Sequence, residues 1–205
     1  MSDTEPATAR PGRRRGAARE RLLAAAARRF YADGVAATGI DTITAEAGVA
    51  KMSLYNNFAS KADLVSAYLD ARHEEWLGLY RQRLEAARDG RGRVLAVFDA
   101  YADHADRSAL SHDRGFRGCG LLNAAAELPA GDRGRDVVRR HKEEVEDLLA
   151  GHVEELMPGR PEEARGVAEH LSFLLEGSMV RAGLEGAGTR LRHARAMAAG
   201  LLERL

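Results

Sequence analysis

The chain has 205 residues, 45% of them hydrophobic and 5% aromatic, and its lysines plus arginines balance its aspartates plus glutamates at 31 each. That length buries a real core, as one large helical domain or as a small domain beside a larger one, while a net charge of zero carries no information about a nucleic-acid partner. The single cysteine, Cys119, argues against a disulfide framework or a multi-cysteine zinc knuckle, and no apolar run approaches the ~20 residues of a membrane span, so a cytoplasmic protein without membrane contact is expected.

Alanine, leucine, arginine and glutamate dominate, and no segment alternates apolar and polar residues for long. The expected class is therefore all-α, with about nine helices. Residues 1–15, rich in Pro, Arg, Ala and Thr, read as a disordered basic arm. From Arg10 to Arg29 eight arginines (10, 13, 14, 15, 19, 21, 28 and 29) stand against the single acid Glu20, the local excess that a duplex-binding head would show. A first helix over about 16–32 turns Leu22, Leu23, Ala26, Phe30 and Tyr31 inward and closes at Gly34.

Residues 37–64, ATGIDTITAEAGVAKMSLYNNFASKADL, then read as two short helices, about 41–47 and 51–58, with a tight turn between them. Ile40, Ile43 and Ala47 recur at helical spacing, Gly48 can take the left-handed conformation that ends a helix, and Val49, Met52, Tyr55 and Phe58 start a second pattern at once. The signature is helix-turn-helix. Ser60 caps a long fourth helix over about 60–87, with Asp63 three residues later and an apolar stripe through Leu64, Tyr68, Leu69, Trp76, Tyr80 and Leu84. Gly90 and Gly92 interrupt the pattern, a fifth helix covers about 93–107, and 108–118 reads as a loop. A short sixth helix over about 121–128 ends at Pro129, and three more follow over about 132–157, 161–184 and 189–204.

The segment from Thr38 to Leu64 resembles the N-terminal domain of the TetR family of transcriptional regulators, through Thr38, Ile43, Ala47, Gly48, Val49, Leu54, Tyr55, Phe58, Lys61 and Leu64. A second echo, Arg117 to Glu127, is similar to a run at the start of the sixth helix in many members. The resemblance implies a helix-turn-helix domain over 16–62 and an effector-binding and dimerisation domain over 63–205. Carried onto this chain, Lys51, Met52 and Asn56 would face bases, whereas Ser53, Tyr55, Asn57 and Lys61 would lie near phosphate. Lysine donates to the guanine edge, asparagine pairs with adenine, and Met52 packs on a thymine methyl. Gly39 stands where members often carry a hydroxyl, which Thr38 or Thr42 would replace, and Asn57 stands for a frequent histidine.

For the body, the resemblance implies a ligand cavity among helices four to eight and a homodimer through helices eight and nine. The residues expected near an apolar or aromatic effector are Trp76, Tyr80, Phe98, Tyr101, Phe116, Leu122, Asn123, Phe173 and Glu176. The sequence itself supports the dimer: Val167, Leu171, Leu174, Leu175 and Met179 alternate with small residues, and Leu191, Met197 and Leu201 continue the stripe in the last helix. The partners expected are thus a double-stranded DNA operator, a small effector and a second copy, with no cofactor and no metal. Histidines and aspartates around His104 and His112 match no known ligand spacing. Cys119, beside Arg117 at a helix N-terminus, reads either as a redox-active thiol or as a small buried filler. An enzyme, or a helical module that binds ligand or protein without DNA, is the alternative; no phosphate loop, paired-carboxylate motif or Ser-His-Asp context supports the enzyme.

Overall fold

The computed structural model describes residues 11–111 and 115–205. Every regular element among them is an α-helix: α1 (Pro11–Asp33), α2 (Ile40–Ala47), α3 (Lys51–Tyr55), α4 (Lys61–Leu84), α5 (Gly90–Ser111), α6 (Gly120–Glu127), α7 (Arg133–Glu154), α8 (Pro161–Glu185) and α9 (Thr189–Leu202). The helices fall into two compact units, a head that ends at Tyr68 and a body from Leu69 to Leu205.

In the head, α1 buries Leu22, Ala25, Ala26, Phe30 and Tyr31 at intervals of three and four, one face of a helix. The part of the expected arm over residues 1–10 lies outside the described residues, and its remainder from Pro11 is already helical, so α1 starts ahead of the sequence reading at Gly16. Gly48 ends α2 with φ 62° and ψ 42°, its N–H donating to the Ala45 carbonyl while Val49 N–H donates to Thr44. Those bonds satisfy carbonyls that the helix end would orphan, and the left-handed conformation excludes a side chain without a cost of about 1 kcal/mol. Five residues of α3 have no stability as an isolated helix. Leu54 and Phe58, both fully buried, fasten α3 and its following turn to the head core, where Phe30 meets Tyr68 edge-on at 5.5 Å. At the start of α4, Ser60 Oγ accepts the Asp63 N–H and Asp63 Oδ2 accepts the Ala59 N–H, each at 3.1 Å, a reciprocal cap.

In the body, α5 packs on α7 and α9, and α8 lies between α7 and α9. Gly90 and Gly92 open α5 rather than interrupt it, because Asp89 Oδ1 accepts the Gly92 N–H at 2.7 Å and supplies the cap. The same helix runs on through Ser111, so the expected loop shortens by one turn. Asp132 caps α7 in the same way, accepting from Gly134 N–H at 2.7 Å, and Gly186 at φ 69° ends α8. The core of this unit gathers Trp76, Tyr80, Val97, Phe98, Tyr101, Leu149, Leu171, Leu175 and Leu191.

Candidate nucleic-acid interface and the polar cluster of the body

The turn at Gly48 sets α3 so that Leu54 points into the head while its other side chains face outward. Met52 is 68% exposed and Tyr55 46%, with Lys51 and Asn56 exposed beside them. Met52 and Tyr55 thus lie side by side in solvent with Lys51 and Asn56, while Leu54 and Phe58 hold the segment to the head core. Thr42 is also exposed, and Ser53, Asn57 and Lys61 are half-buried. Asn57 Nδ2 donates to the Ser53 carbonyl at 2.7 Å, closing the end of α3 and leaving one amide hydrogen for another acceptor.

Thr38 departs from expectation. It is buried, and its hydroxyl donates to the Gly34 carbonyl at 2.6 Å, with the Arg29 carbonyl at 3.3 Å, so it secures the α1–α2 corner and has no access to phosphate. Part of the arginine excess is spent in the same manner. Glu46 on α2 accepts from Arg28 Nε at 2.6 Å and pairs with Arg29 Nε, while Arg29 Nη1 meets Asp33 Oδ2 at 3.4 Å. Burial raises the Glu46 carboxyl, and hydrogen bonds from Arg28 and Arg29 outweigh it, leaving the group below the ordinary carboxylate range. Arg19 lies 5.1 Å from the Phe58 ring centre. Lys51 is paired as well: its ammonium sits 2.8 Å from Asp41 Oδ1, and this hydrogen bond and charge raise its pKa. Sequence spacing identified Lys51 but not Asp41, because a pair ten residues apart across a turn matches no helical period.

The body holds a buried polar cluster in which Trp76, Tyr80 and Tyr101, three of the residues expected near an effector, meet three histidines and a lysine that the sequence reading did not group with them. Trp76 stacks on Tyr80 at 5.4 Å with an interplanar angle of 3°, and meets Tyr101 and His141 edge-on at 5.3 Å each. His141 Nδ1 lies 2.9 Å from His73 Nδ1, and its Nε2 lies 3.2 Å from Tyr101 Oη. Lys142 Nζ donates to Glu176 Oε1 at 2.7 Å and to Tyr101 Oη at 3.3 Å, and stands 3.9 Å from Cys119 Sγ. Tyr80 Oη and His152 Nε2 are 2.5 Å apart. Burial, reinforced by Lys142, His73 and His104, pushes His141 down to about 2, so the ring is neutral at any physiological pH. No group of three or more His, Cys, Asp or Glu side chains suited to a metal ion occurs among the described residues, and His112 lies outside them.

Phe98 and Phe116 are core residues of the body. Leu122 and Asn123 line a separate cavity of about 260 Å³ between α6 and α8, whose walls also include Arg117, Cys119, Met179 and Gly183. Phe173 joins neither group: it is 65% exposed on the outer face of α8, since its neighbours Leu171 and Leu175 take the inward positions. The expected dimer stripe needs the same rotation. Leu171, Leu175, Met179 and Leu191 are buried within the protomer, and Val167, Leu174 and Leu201 are half-buried against its core. The outer face of α8 and α9 instead presents Phe173, Val180, Leu184 and Met197, of which only Met197 was on the expected stripe.

A three-helix head with an outward-facing turn helix, joined in sequence to an all-helical body, defines a helix-turn-helix regulator. Residues 22–68 match the family model described as "Bacterial regulatory proteins, tetR family". The chain is similar to a TetR-family transcriptional regulator from Streptomyces coelicolor, with 31% identity, 92% of this chain and 96% of that one covered, and a TM-score of 0.80. A TetR transcriptional regulator from Chloroflexus aurantiacus J-10-FL shares 27% identity over 93% of this chain and 96% of its own, at a TM-score of 0.79. Among curated proteins, the HTH-type transcriptional activator FasR of Mycolicibacterium smegmatis is 36% identical over 100 residues, 48% of this chain and 43% of FasR. The chain thus spans less than half the length of that curated relative. It belongs to the TetR family of transcriptional regulators.

Proposed function

We propose that the protein is a homodimeric repressor that holds an approximately palindromic operator through α3 of each copy and releases it when a small, largely apolar molecule occupies the body. The observation that carries this reading is the exposure of Lys51, Met52, Tyr55 and Asn56 on a helix whose inward side is fixed by Leu54. Lys51, Met52 and Asn56 face base edges, while Thr42, Ser53, Tyr55, Asn57 and Lys61 contact or flank phosphate. Two copies related by a two-fold axis through α8 and α9 present their heads to half-sites about one helical turn, or a multiple, apart. Phe173, Val180, Leu184 and Met197 supply the apolar face for that pairing. The ligand acts by binding the DNA-incompetent arrangement better, so it and the operator oppose each other by one coupling factor. No helix among the described residues is long and apolar enough to cross a membrane, in keeping with a cytoplasmic site of action.

The deciding experiment is gel retardation of genomic fragments against random duplex over a salt series. Preference for particular fragments, with affinity falling by orders of magnitude from low to moderate salt, is expected. Equal retention of random DNA removes the regulatory reading and leaves a helical ligand- or protein-binding module. Because FasR is an activator, a reporter driven from the retained fragment settles the direction of control.

A further inference from the structure

A line of polar contacts joins the surface of the body to its buried ion pair. Glu144 Oε2 lies 3.3 Å from His73 Nε2, and His73 Nδ1 lies 2.9 Å from His141 Nδ1. His141 Nε2 lies 3.2 Å from Tyr101 Oη, which is 3.3 Å from Lys142 Nζ, and Lys142 holds Glu176 Oε1 at 2.7 Å. Glu144 keeps 47% of its side chain in solvent and His73 19%, whereas His141 and Tyr101 are buried, so the line runs from outside to inside.

Only one arrangement of protons fits this line while both rings are neutral. A carboxylate oxygen only accepts, so His73 carries its hydrogen on Nε2 and offers Nδ1 as a bare acceptor. His141 Nδ1 must then donate to it, which leaves His141 Nε2 bare and turns the Tyr101 hydroxyl toward that nitrogen. The phenol oxygen in turn accepts from the Lys142 ammonium, and every donor points outward. A second proton on His73 breaks the line at its shortest step, because two N–H groups cannot face each other at 2.9 Å. His141 has to move its hydrogen from Nδ1 to Nε2, where it meets Tyr101 Oη, and the tyrosine hydrogen needs another acceptor. Glu176 Oε2 is buried without a hydrogen-bond partner among the described residues, its other oxygen sits on the same ammonium, and its charge acts on the Tyr101 hydroxyl. A buried polar atom left unpaired in one arrangement is thereby paired in the other.

The groups around the two rings leave His73 as the point of entry. On α4 itself Arg72 pairs with Glu75 at 2.6 Å, and His104 of α5 lies 3.6 Å from the same carboxylate. From α7 come Glu144 and Lys142, from α8 Glu176, and from the segment before α6 Cys119, 3.9 Å from Lys142. Burial keeps His141 neutral and lowers His104 as well, so neither ring stores an added proton. His73 is the ring that meets an exposed carboxylate.

We propose that the body carries an acid-responsive hydrogen-bond switch, with protonation of His73 at the surface as its input and the direction of the buried Tyr101 hydroxyl as its output. In the neutral form that hydroxyl donates to His141. In the acid form it donates to Glu176, and His141 exchanges tautomers while staying uncharged. A proton taken up beside Glu144 is in this way read at the Lys142–Glu176 pair without a further charge entering the core, and the switch does not depend on DNA binding.

The test is nuclear magnetic resonance of the full chain, with 15N in its histidine rings and 13C in its tyrosines, titrated from mildly alkaline to mildly acidic pH. Two-bond correlations from the ring protons separate a bare ring nitrogen from a protonated one. With His73 neutral, the hydrogens should sit on His73 Nε2 and His141 Nδ1. As His73 takes its second proton, the His141 hydrogen should move to Nε2 with the same midpoint, and the Tyr101 Cζ resonance should shift with it. In His73→Asn, which sets an uncharged amide beside His141, one His141 tautomer should persist at every pH. A His141 hydrogen that stays on Nδ1 after His73 is charged, a His141 ring that becomes doubly protonated with it, an unmoving Tyr101 Cζ, or a tautomer exchange that survives in His73→Asn overturns the proposal. The wild-type titration alone decides if the variant does not fold, the rings then being assigned by through-bond transfer from the backbone.

Discussion

Alanine at position 183 should destabilise the body although alanine is the better helix former. A Cβ built there would lie 2.7 Å from Gly118 Cα, 2.8 Å from Gly118 N and 3.0 Å from the Arg117 carbonyl carbon. All three are backbone atoms, so no rotamer change relieves the contact. Ordinary Cβ contacts begin near 3.4 Å, so α8 and the segment before α6 must part by about 0.7 Å at this point. In a close-packed interior such overpacking costs about 1–3 kcal/mol, against about 1 kcal/mol gained in helix propensity. Gly151 on α7 is the control, because its added Cβ meets nothing within 4 Å and Gly151→Ala should gain the propensity alone. The difference between the two variants isolates the clash at about 2 kcal/mol, or roughly 4–8 °C in Tm for a chain of this size. Thermal unfolding followed by circular dichroism reads it. Equal melting temperatures for G183A and G151A would refute the reasoning, since propensity cancels between them.

Glu46→Gln removes the tie between α1 and α2, and should lower the melting temperature of the protein near neutral pH by ~2 °C. Because the Glu46 pKa is depressed on folding, its contribution is present above the ordinary carboxylate pKa of about 4.3 and is lost as the pH falls through the folded value. The difference from wild type should therefore narrow as the pH falls below the ordinary carboxylate range, and a gap that stays constant on acidification would contradict the assignment. His141, at about 2 when folded, takes up a proton near pH ~6.5 only when unfolded, so stability should fall with pH below that point, by up to ~1.4 kcal/mol per unit. Urea midpoints of wild type and His141→Gln between neutral and mildly acidic pH test this, with parallel profiles as the refuting result. Phe173→Glu should dissociate the proposed dimer without unfolding the protomer, since the side chain is exposed; sedimentation that finds the variant still dimeric, or wild type monomeric at micromolar concentration, would exclude this face. On DNA, Tyr55→Phe and Lys61→Ala should weaken all duplexes alike while Asn56→Ala relaxes the preferred sequence, and an unchanged site preference in the last would rule out its base contact.

The head was legible because its determinants are local. Gly48 has to be left-handed for α2 to end and α3 to begin, and Ile43, Leu54 and Phe58 repeat at intervals that only a helical hairpin buries together. Ser60 and Asp63 announce α4 for the same reason. The α5 start was misread because two glycines look like a break unless Asp89 is recognised as the cap ahead of them. Direction of burial was the larger error. Helix α8 is apolar on two sides, Leu171, Leu175 and Met179 on one and Phe173, Val180 and Leu184 on the other, and periodicity cannot say which of two apolar sides faces the protomer. Trp76, Tyr101 and Glu176 were grouped by the family resemblance, but Lys142 was missed for another reason: it and Cys119 come from separate stretches of chain, and only tertiary packing brings them to that group.

If α3 reads duplex as proposed, the pairing of Lys51 with Asp41 would let the head discriminate between duplexes. For a head seated as proposed, any phosphate can draw the ammonium away, but the carboxylate then faces a polyanion with nothing to neutralise it. Indiscriminate contact is thereby penalised at every site along the strand. A guanine opposite Lys51 with its cytosine amino group within reach of Asp41 would accommodate both charges at once, so the same two side chains that lower affinity for arbitrary DNA would raise it at a G·C step.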